Sequence, residues 1–337
     1  MADLHKIVFS HSDGQSLAES LQRVISQLPP GPRRKLLGIF EHHADDVEYA
    51  IAFTNGRSVA QILAEFDPDG IAVRLGRSVS PLSEREILKH IDGVPIRRLH
   101  LEDLTLSPTV AAAVSEIKTL RLLDIRECGI GDEDVRVLGD KGLPIHIFYL
   151  QECDITDRAC EYVRRFPRIQ SLYLNCRHIT DSGVKSLSVI DAIDGLSLEG
   201  TSISDELFRT APWCLRLRRL YLDNTQLSDD GLDTLTAELR LVDLSLSGTR
   251  ITDRGLVQLA NCCTLEKLAL LRTAVTPAGL NVFRKWPHRL KVYLSGHSAE
   301  DVRWELGNLE VVEFCKSTDS ASDHRRTEAE RSRVWLT

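Results

Sequence analysis

The chain has 337 residues, with 42 Lys and Arg against 49 Asp and Glu, a formal net charge of −7 and 42% hydrophobic residues. This is enough apolar material for a packed core, so the chain as a whole is not disordered, and at roughly 100–200 residues per domain the length suggests two or three domains. No apolar run of about 18 residues is present, so no membrane-spanning helix is expected; the first residues lack a secretory-signal pattern, and the mild acidity argues against non-specific nucleic-acid binding, which needs a basic face.

In chain order, Ser16–Leu28 carries apolar residues at Leu17, Leu21, Val24, Ile25 and Leu28, a helical period that ends at Pro29-Pro30-Gly31-Pro32. Lys35–Phe40 and Val47–Phe53 are further apolar segments. Arg57–Phe66 reads as a helix ending before Asp67-Pro68-Asp69-Gly70, Ile71–Leu75 as a degenerate strand, and Ser83–Ile91 as a helix. Residues 1–95 therefore form either an N-terminal α/β cap, covering the apolar end of the segment beyond it, or a small independent domain. Within them, His42, His43, Asp45 and Asp46 form the densest polar cluster, expected as a solvated loop or helix end rather than a metal site.

From Ile96 onward a register holds. Units start at 96, 120, 145, 169, 193, 217, 241 and 265, spaced by 24 residues with one step of 25. Each reads L-x-x-L-x-L-x-x-(C/T)-x-(I/L)-(T/S)-D-x-G-(L/V)-x-x-L, best kept in Leu217–Leu235 and Leu241–Leu259. Side chains alternate along a strand, so positions 4 and 6 point inward while 5 points outward; in the sixth unit these are Leu220, Leu222 and Tyr221. Leu232 and Leu235 then follow at helical spacing. Ser228-Asp229 supplies a capping oxygen and negative charge for the first helical turn, and Thr276-Pro277 is expected to start a helix in the same way. Two weaker units close the series around Val292–Leu294 and Val312–Phe314.

This pattern resembles the leucine-rich repeat family, in its bacterial or cysteine-containing style, over 96–314, 219 of the 337 residues. The resemblance implies an α/β solenoid, a curved horseshoe with a concave parallel sheet and short helices on the convex side. In that family position 9 holds Asn, Cys or Thr at the turn leaving the strand. Cys128, Cys153, Thr201, Thr225, Thr249 and Thr273 occupy it here, so at least two of the eight cysteines are expected as structural fillers. Arg177 breaks the column in the fourth unit, with Cys176 beside it, and a local distortion is expected there. Residues 315–337 are polar and expected to be a disordered tail, with Val334-Trp335-Leu336 as its apolar cluster.

Signatures of catalysis are missing: the sequence has no GxxxxGK[ST], GxGxxG, HExxH or GxSxG element and no CxxC pair. Neither an enzyme nor a cofactor or metal site is expected. Leu28-Pro29 followed by Leu36-Leu37 has the words of an F-box, but the interval is too long. What remains is the surface. Position 5 reads His100, Asp124, Tyr149, Tyr173, Ser197, Tyr221, Ser245, Ala269 and Tyr293, so four of the six tyrosines share one column. Tyrosine buries a rigid ring at low entropy cost and keeps a hydrogen-bonding tip, although it is also simply a good strand former. With Arg121, Arg126, Arg218, Asp223 and Arg272 around them, Tyr149, Tyr173, Tyr221 and Tyr293 are the candidate partner-binding residues. The expected function, implied by the family, is a cytoplasmic, monomeric, non-enzymatic module that binds a protein partner and neither nucleic acid nor membrane. The alternative is a ubiquitin-ligase-like substrate-recognition adaptor that docks through the N-terminal segment.

Overall fold

The repeat register of the sequence is also the register of the sheet. The computed structural model describes residues 53–54, 57–58, 71–76, 83–91, 96–233, 240–295 and 309–314. After a short antiparallel pair, β1 (Phe53–Thr54) and β2 (Arg57–Ser58), come β3 (Ile71–Gly76), β4 (Ile96–Glu102), β5 (Leu122–Arg126), β6 (Ile147–Gln151) and β7 (Ser171–Asn175). The series continues with β8 (Gly195–Ser197), β9 (Arg219–Tyr221), β10 (Asp243–Ser245), β11 (Lys267–Ala269), β12 (Leu290–Ser295) and β13 (Leu309–Phe314). Strands β3 to β13 form one parallel sheet of 11 strands, each hydrogen-bonded only to its neighbours in sequence. Position pairs with position: Leu220 lies beside Leu244, and Leu244 beside Leu268. The degenerate strand expected at Ile71–Leu75 is β3, paired with β4.

Two expectations fail. Arg57–Ser58 pairs with Phe53–Thr54, so the helix read from Arg57 does not begin there; Asn-Gly between two strand-forming segments is, in sequence, a hairpin signal that competes with the apolar spacing. Thr276-Pro277 does not open an α-helix. Thr276 Oγ1 accepts from Gly279 N–H at 3.3 Å, and a 3-10 helix follows at Gly279–Phe283. The expected helix at Ser16–Leu28, the segment Lys35–Phe40, the cluster at His42–Asp46 and the tail 315–337 lie outside the described residues.

On the other side of the sheet run α1 (Glu84–Ile91), α2 (Pro108–Ser115), α3 (Asp132–Asp140), α4 (Asp157–Val163) and α5 (Asp181–Ser186). Three more follow: α6 (Leu207–Thr210), α7 (Asp229–Leu232) and α8 (Asp253–Leu259). Such short helices hold by packing rather than propensity. Strand positions 1, 4 and 6 meet position 11 and the helix residues in one continuous apolar cluster running from Leu75 to Leu294. Each unit leaves an apolar face that only its neighbours cover, which is why the core grows along an axis.

The turn leaving each strand is left-handed at position 8: Asp103, Glu127, Glu152, Gly200, Asn224, Gly248 and Arg272 have φ between 49° and 68°. For a side chain larger than glycine this costs roughly 1–2 kcal/mol. The conformation aims the position-8 N–H at the next unit: Glu152 donates to the Asn175 carbonyl at 3.0 Å and Gly200 to the Asp223 carbonyl at 2.8 Å. The position-9 side chain then turns inward. Thr225 Oγ1 donates to the Leu222 carbonyl at 2.8 Å, and Cys153 Sγ to the Gln151 carbonyl at 3.2 Å. The fourth unit departs as expected. Arg177 stays outside, and the residue before it, Cys176, is buried and donates to the Leu150 carbonyl at 3.3 Å. A guanidinium does not fit that apolar slot without a partner, so the turn re-forms to bring the thiol inward.

Cysteine proves structural beyond the two expected positions. Cys128, Cys153, Cys160, Cys176, Cys214 and Cys262 are all buried and free, and Cys263 is exposed. Burial pushes the Cys128 thiol up to about 12 and raises those of Cys160 and Cys214 as well.

A second ladder joins the units on the helix side. The Asp at position 13 accepts two hydrogen bonds from the Ser or Thr at position 12 of the following unit. Asp157 takes the Thr180 N–H at 2.7 Å and its hydroxyl at 2.6 Å, and Asp229 takes those of Thr252 at 2.9 and 2.6 Å. Asp132–Thr156, Asp181–Ser204, Asp205–Ser228 and Asp253–Thr276 repeat the arrangement, making six rungs among the described residues. The same hydroxyl accepts from its own helix, as in Arg254 N–H to Thr252 Oγ1 at 3.2 Å. Gly255 follows from this packing: a Cβ there would stand 2.5 Å from Asp229 Oδ1.

Candidate partner-binding surface

The parallel register turns the position-5 column of the sequence into a row of adjacent side chains on the concave face. His100 neighbours Asp124, which neighbours Tyr149, which neighbours Tyr173. The row continues through Ser197, Tyr221, Ser245 and Ala269 to Tyr293.

At the β4–β7 end the row forms a polar and aromatic cluster. His100 Nδ1 lies 2.9 Å from Asp124 Oδ2, and Arg126 Nε donates to Asp124 Oδ1 at 2.8 Å. Burial alone would raise the Asp124 carboxyl, but the hydrogen bond from His100 and the charges of Arg126 and His100 outweigh it and hold it below its ordinary value. The Arg126 guanidinium sits 5.4 Å from the centre of the Tyr149 ring, and the Tyr149 and Tyr173 rings are stacked at 4.0 Å and 16°. Burial, with Tyr149 and Tyr221 beside it, pushes the Tyr173 phenol up.

Further along, position 7 carries a ladder that the sequence, taken one unit at a time, does not reveal. Asn175 Oδ1 accepts from the Ser197 hydroxyl at 2.8 Å and the Glu199 N–H at 3.2 Å. Asp223 Oδ1 accepts from the Ser245 hydroxyl and, at 2.8 Å, from the Ser247 N–H. Ser247 Oγ in turn accepts from the Leu271 N–H at 3.3 Å. From β8 to β11 the strands are only three residues long, and these side chains satisfy N–H groups that a longer strand would pair. The signal was present as short polar residues at one position, but its partner lies 24 residues on.

The nine candidate residues separate into three places. Tyr149 and Tyr221 are only 6% and 5% exposed, and the Tyr221 hydroxyl donates to Asp243 Oδ2 at 3.2 Å. Tyr173 and Tyr293 are half-buried, and Lys291 Nζ lies 5.2 Å from the Tyr293 ring centre. With Arg126 and the buried Asp223 they occupy the concave row and its border. Arg121 instead folds back at the edge where the strands begin, donating to the Leu120 and Lys118 carbonyls at 2.9 and 3.2 Å. Arg218 is exposed at that same edge. Arg272 stands in the turn leaving β11, donating to Asn224 Oδ1 at 3.1 Å. Among the described residues no three His, Cys, Asp or Glu side chains gather as a metal site, and no helix is long and apolar enough to cross a membrane.

A parallel strand–turn–helix solenoid of 24-residue units is the class these features define. The family model for the leucine-rich repeat matches residues 117–142 and 241–260, so the chain carries leucine-rich repeats in those segments. No curated protein matches its sequence. Among solved structures it is similar to an internalin (inlF) of Listeria monocytogenes at 16% identity and a TM-score of 0.43, over 72% of this chain and 67% of that one. A second is internalin C2 of the same bacterium, at 19% identity and a TM-score of 0.39, over 62% and 84%. A third is TLR13 in complex with ssRNA13, at 16% identity and a TM-score of 0.46, over 74% of this chain and 36% of that one.

Proposed function

We propose that this chain is a non-enzymatic interaction module whose concave face binds a protein partner. Leucine-rich repeats serve generally as protein–protein interaction modules; the particular support is the row across β4–β12, where stacked rings and paired charges stand on a hydrogen-bonded sheet. Rigid aromatic rings beside half-buried cations are the composition of interface hot spots, and a row already held in place loses little entropy on binding. Tyr173, Tyr293 and Arg126 are its proposed contact residues. A cytoplasmic location belongs to the same reading, supported by the six buried free thiols. The adaptor alternative depends on residues 1–95, most of which lie outside the described residues.

Site-specific photocrosslinking tests the assignment. A benzophenone side chain placed at exposed Arg98 on β4 is expected to trap the partner, while one at Val257 on α8, which is 55% exposed, is not. Stronger trapping from the convex position would overturn it. Tyr173→Ala should weaken binding of the trapped protein with circular dichroism unchanged.

A further inference from the structure

A groove of about 1150 Å³ runs along the edge where the strands begin, across the units containing β8 to β12. Its lining includes Arg216, Arg218, Arg240, Lys267, Arg289 and Lys291 against three carboxylates, Asp191, Asp194 and Glu266. This local surplus of positive charge lies on a chain whose net charge is −7. Asp194 is already taken, since Arg219 Nη2 donates to its Oδ1 at 2.5 Å. No carboxylate among the described residues forms an ion pair with Arg216, Arg218, Arg240 or Lys267, and the first three of these are exposed.

The backbone beneath these cations is a closed ladder. Arg218 N–H donates to the Asp194 carbonyl at 2.9 Å, Val242 N–H to Arg218 at 2.8 Å, Glu266 N–H to Val242 at 2.9 Å, and Lys291 N–H to Glu266 at 2.8 Å. The groove therefore does not recruit an added strand, and recognition falls to side chains. Strands spaced by about 4.8 Å make five units span roughly 19 Å, the length of about six extended residues. Cations recur along that length on successive units, with the half-buried Val242 between them.

We propose that this groove binds an extended acidic peptide segment of a partner, with carboxylates on the arginines and lysines and an aliphatic residue over Val242. The site is separate from the tyrosine row and goes beyond the reading of the concave face. A nucleic-acid strand fits less well, because Asp191 and Glu266 interrupt the positive field and Trp213, the lining's large aromatic ring, is buried and offers no face for base stacking.

The test is fluorescence anisotropy with the full chain and a fluorescein-labelled peptide of about six residues alternating Glu and Leu. The same peptide with Gln for Glu, and a labelled single-stranded oligonucleotide, are titrated beside it. The expected result is binding of the Glu peptide at least about tenfold tighter than the Gln peptide. That binding should be lost in the Arg218→Glu, Arg240→Glu variant and kept in Tyr173→Ala, with circular dichroism of both matching the parent. Equal binding of the Glu and Gln peptides, tighter binding of the oligonucleotide, or undiminished binding by the charge-reversed variant overturns the proposal. Loss of binding in Tyr173→Ala alone would place the peptide on the concave face instead and overturn it as well.

Discussion

Removing the Asp229 carboxylate tests whether the aspartate ladder holds the solenoid together. In the folded chain Asp229 is 8% exposed and accepts two hydrogen bonds from Thr252. Bonds to a charged acceptor contribute roughly 1.5–3 kcal/mol each, and a carboxylate at a helix start adds about 0.3–1 kcal/mol. Part of this returns when water reaches the half-buried Thr252, so Asp229→Ala should cost about 2–4 kcal/mol. Gly255→Ala sets a Cβ 2.5 Å from Asp229 Oδ1 and should cost about 1–3 kcal/mol by forcing the carboxylate aside. The decisive variant is the double one. With Asp229 gone, the nearest neighbours of the new methyl are Leu232 Cδ1 at 3.1 Å and Ile251 Cγ2 at 3.2 Å, both ends of side chains that can shift. Alanine also favours the helix over glycine by up to about 1 kcal/mol. Gly255→Ala should then be nearly neutral in the Asp229→Ala background, a coupling of about 1–3 kcal/mol. Urea unfolding followed by circular dichroism measures all four free energies, with the slopes compared to show that the same surface unfolds in each variant. Additivity within about 0.5 kcal/mol would show that Gly255 is not there for the aspartate and would refute the ladder's role.

Two further outcomes rest on single side chains. Trp286 donates from Nε1 to the Leu265 carbonyl at 3.1 Å, whereas the buried Trp213 Nε1 has no acceptor among the described residues. Trp213→Phe should therefore cost about 1–3 kcal/mol less than Trp286→Phe in the same unfolding assay; equal costs would contradict it. Asp124 has a folded value depressed below its ordinary 3.8. Its stabilisation is thus complete above that value and is lost as pH falls through the lower folded one. The gap in unfolding midpoint between the parent and Asp124→Asn should be full at about pH 5 and narrow progressively as pH falls below the ordinary carboxylate value. A gap unchanged across that range would mean that the carboxylate's charge contributes nothing.

Much of this architecture was legible in the residues. Leu217, Leu220, Leu222 and Leu227 recur at the same offsets in the next unit as Leu241, Leu244, Leu246 and Ile251, and each set is buried in the stack. In a solenoid the spacing along the chain equals the spacing between layers, so a column written in sequence becomes a column in space without any long-range search. That is why the tyrosine row could be written down before any strand was placed. The distortion at Arg177 was legible too, because a charged side chain in a slot otherwise filled by Cys or Thr has no buried partner.

The tertiary structure decided what depends on atoms from the next layer. Asp229 and Thr252 read in one dimension as parts of two separate helix starts, since Ser or Thr followed by Asp suits any such start. Only stacking shows that the aspartate of one unit grips the threonine of the next and that Gly255 makes room for it. The same holds at the surface. The sequence places Tyr149 and Tyr221 on the outward side of their strands, but adjacent rings, Arg126 and Asp243 leave them nearly covered. Arg218, from the same candidate set, instead lines a cationic groove assembled from five units. Periodicity along one chain fixes which layer and which face a residue occupies, whereas its exposure and its partners are set by distances across layers, which no spacing within a single repeat encodes.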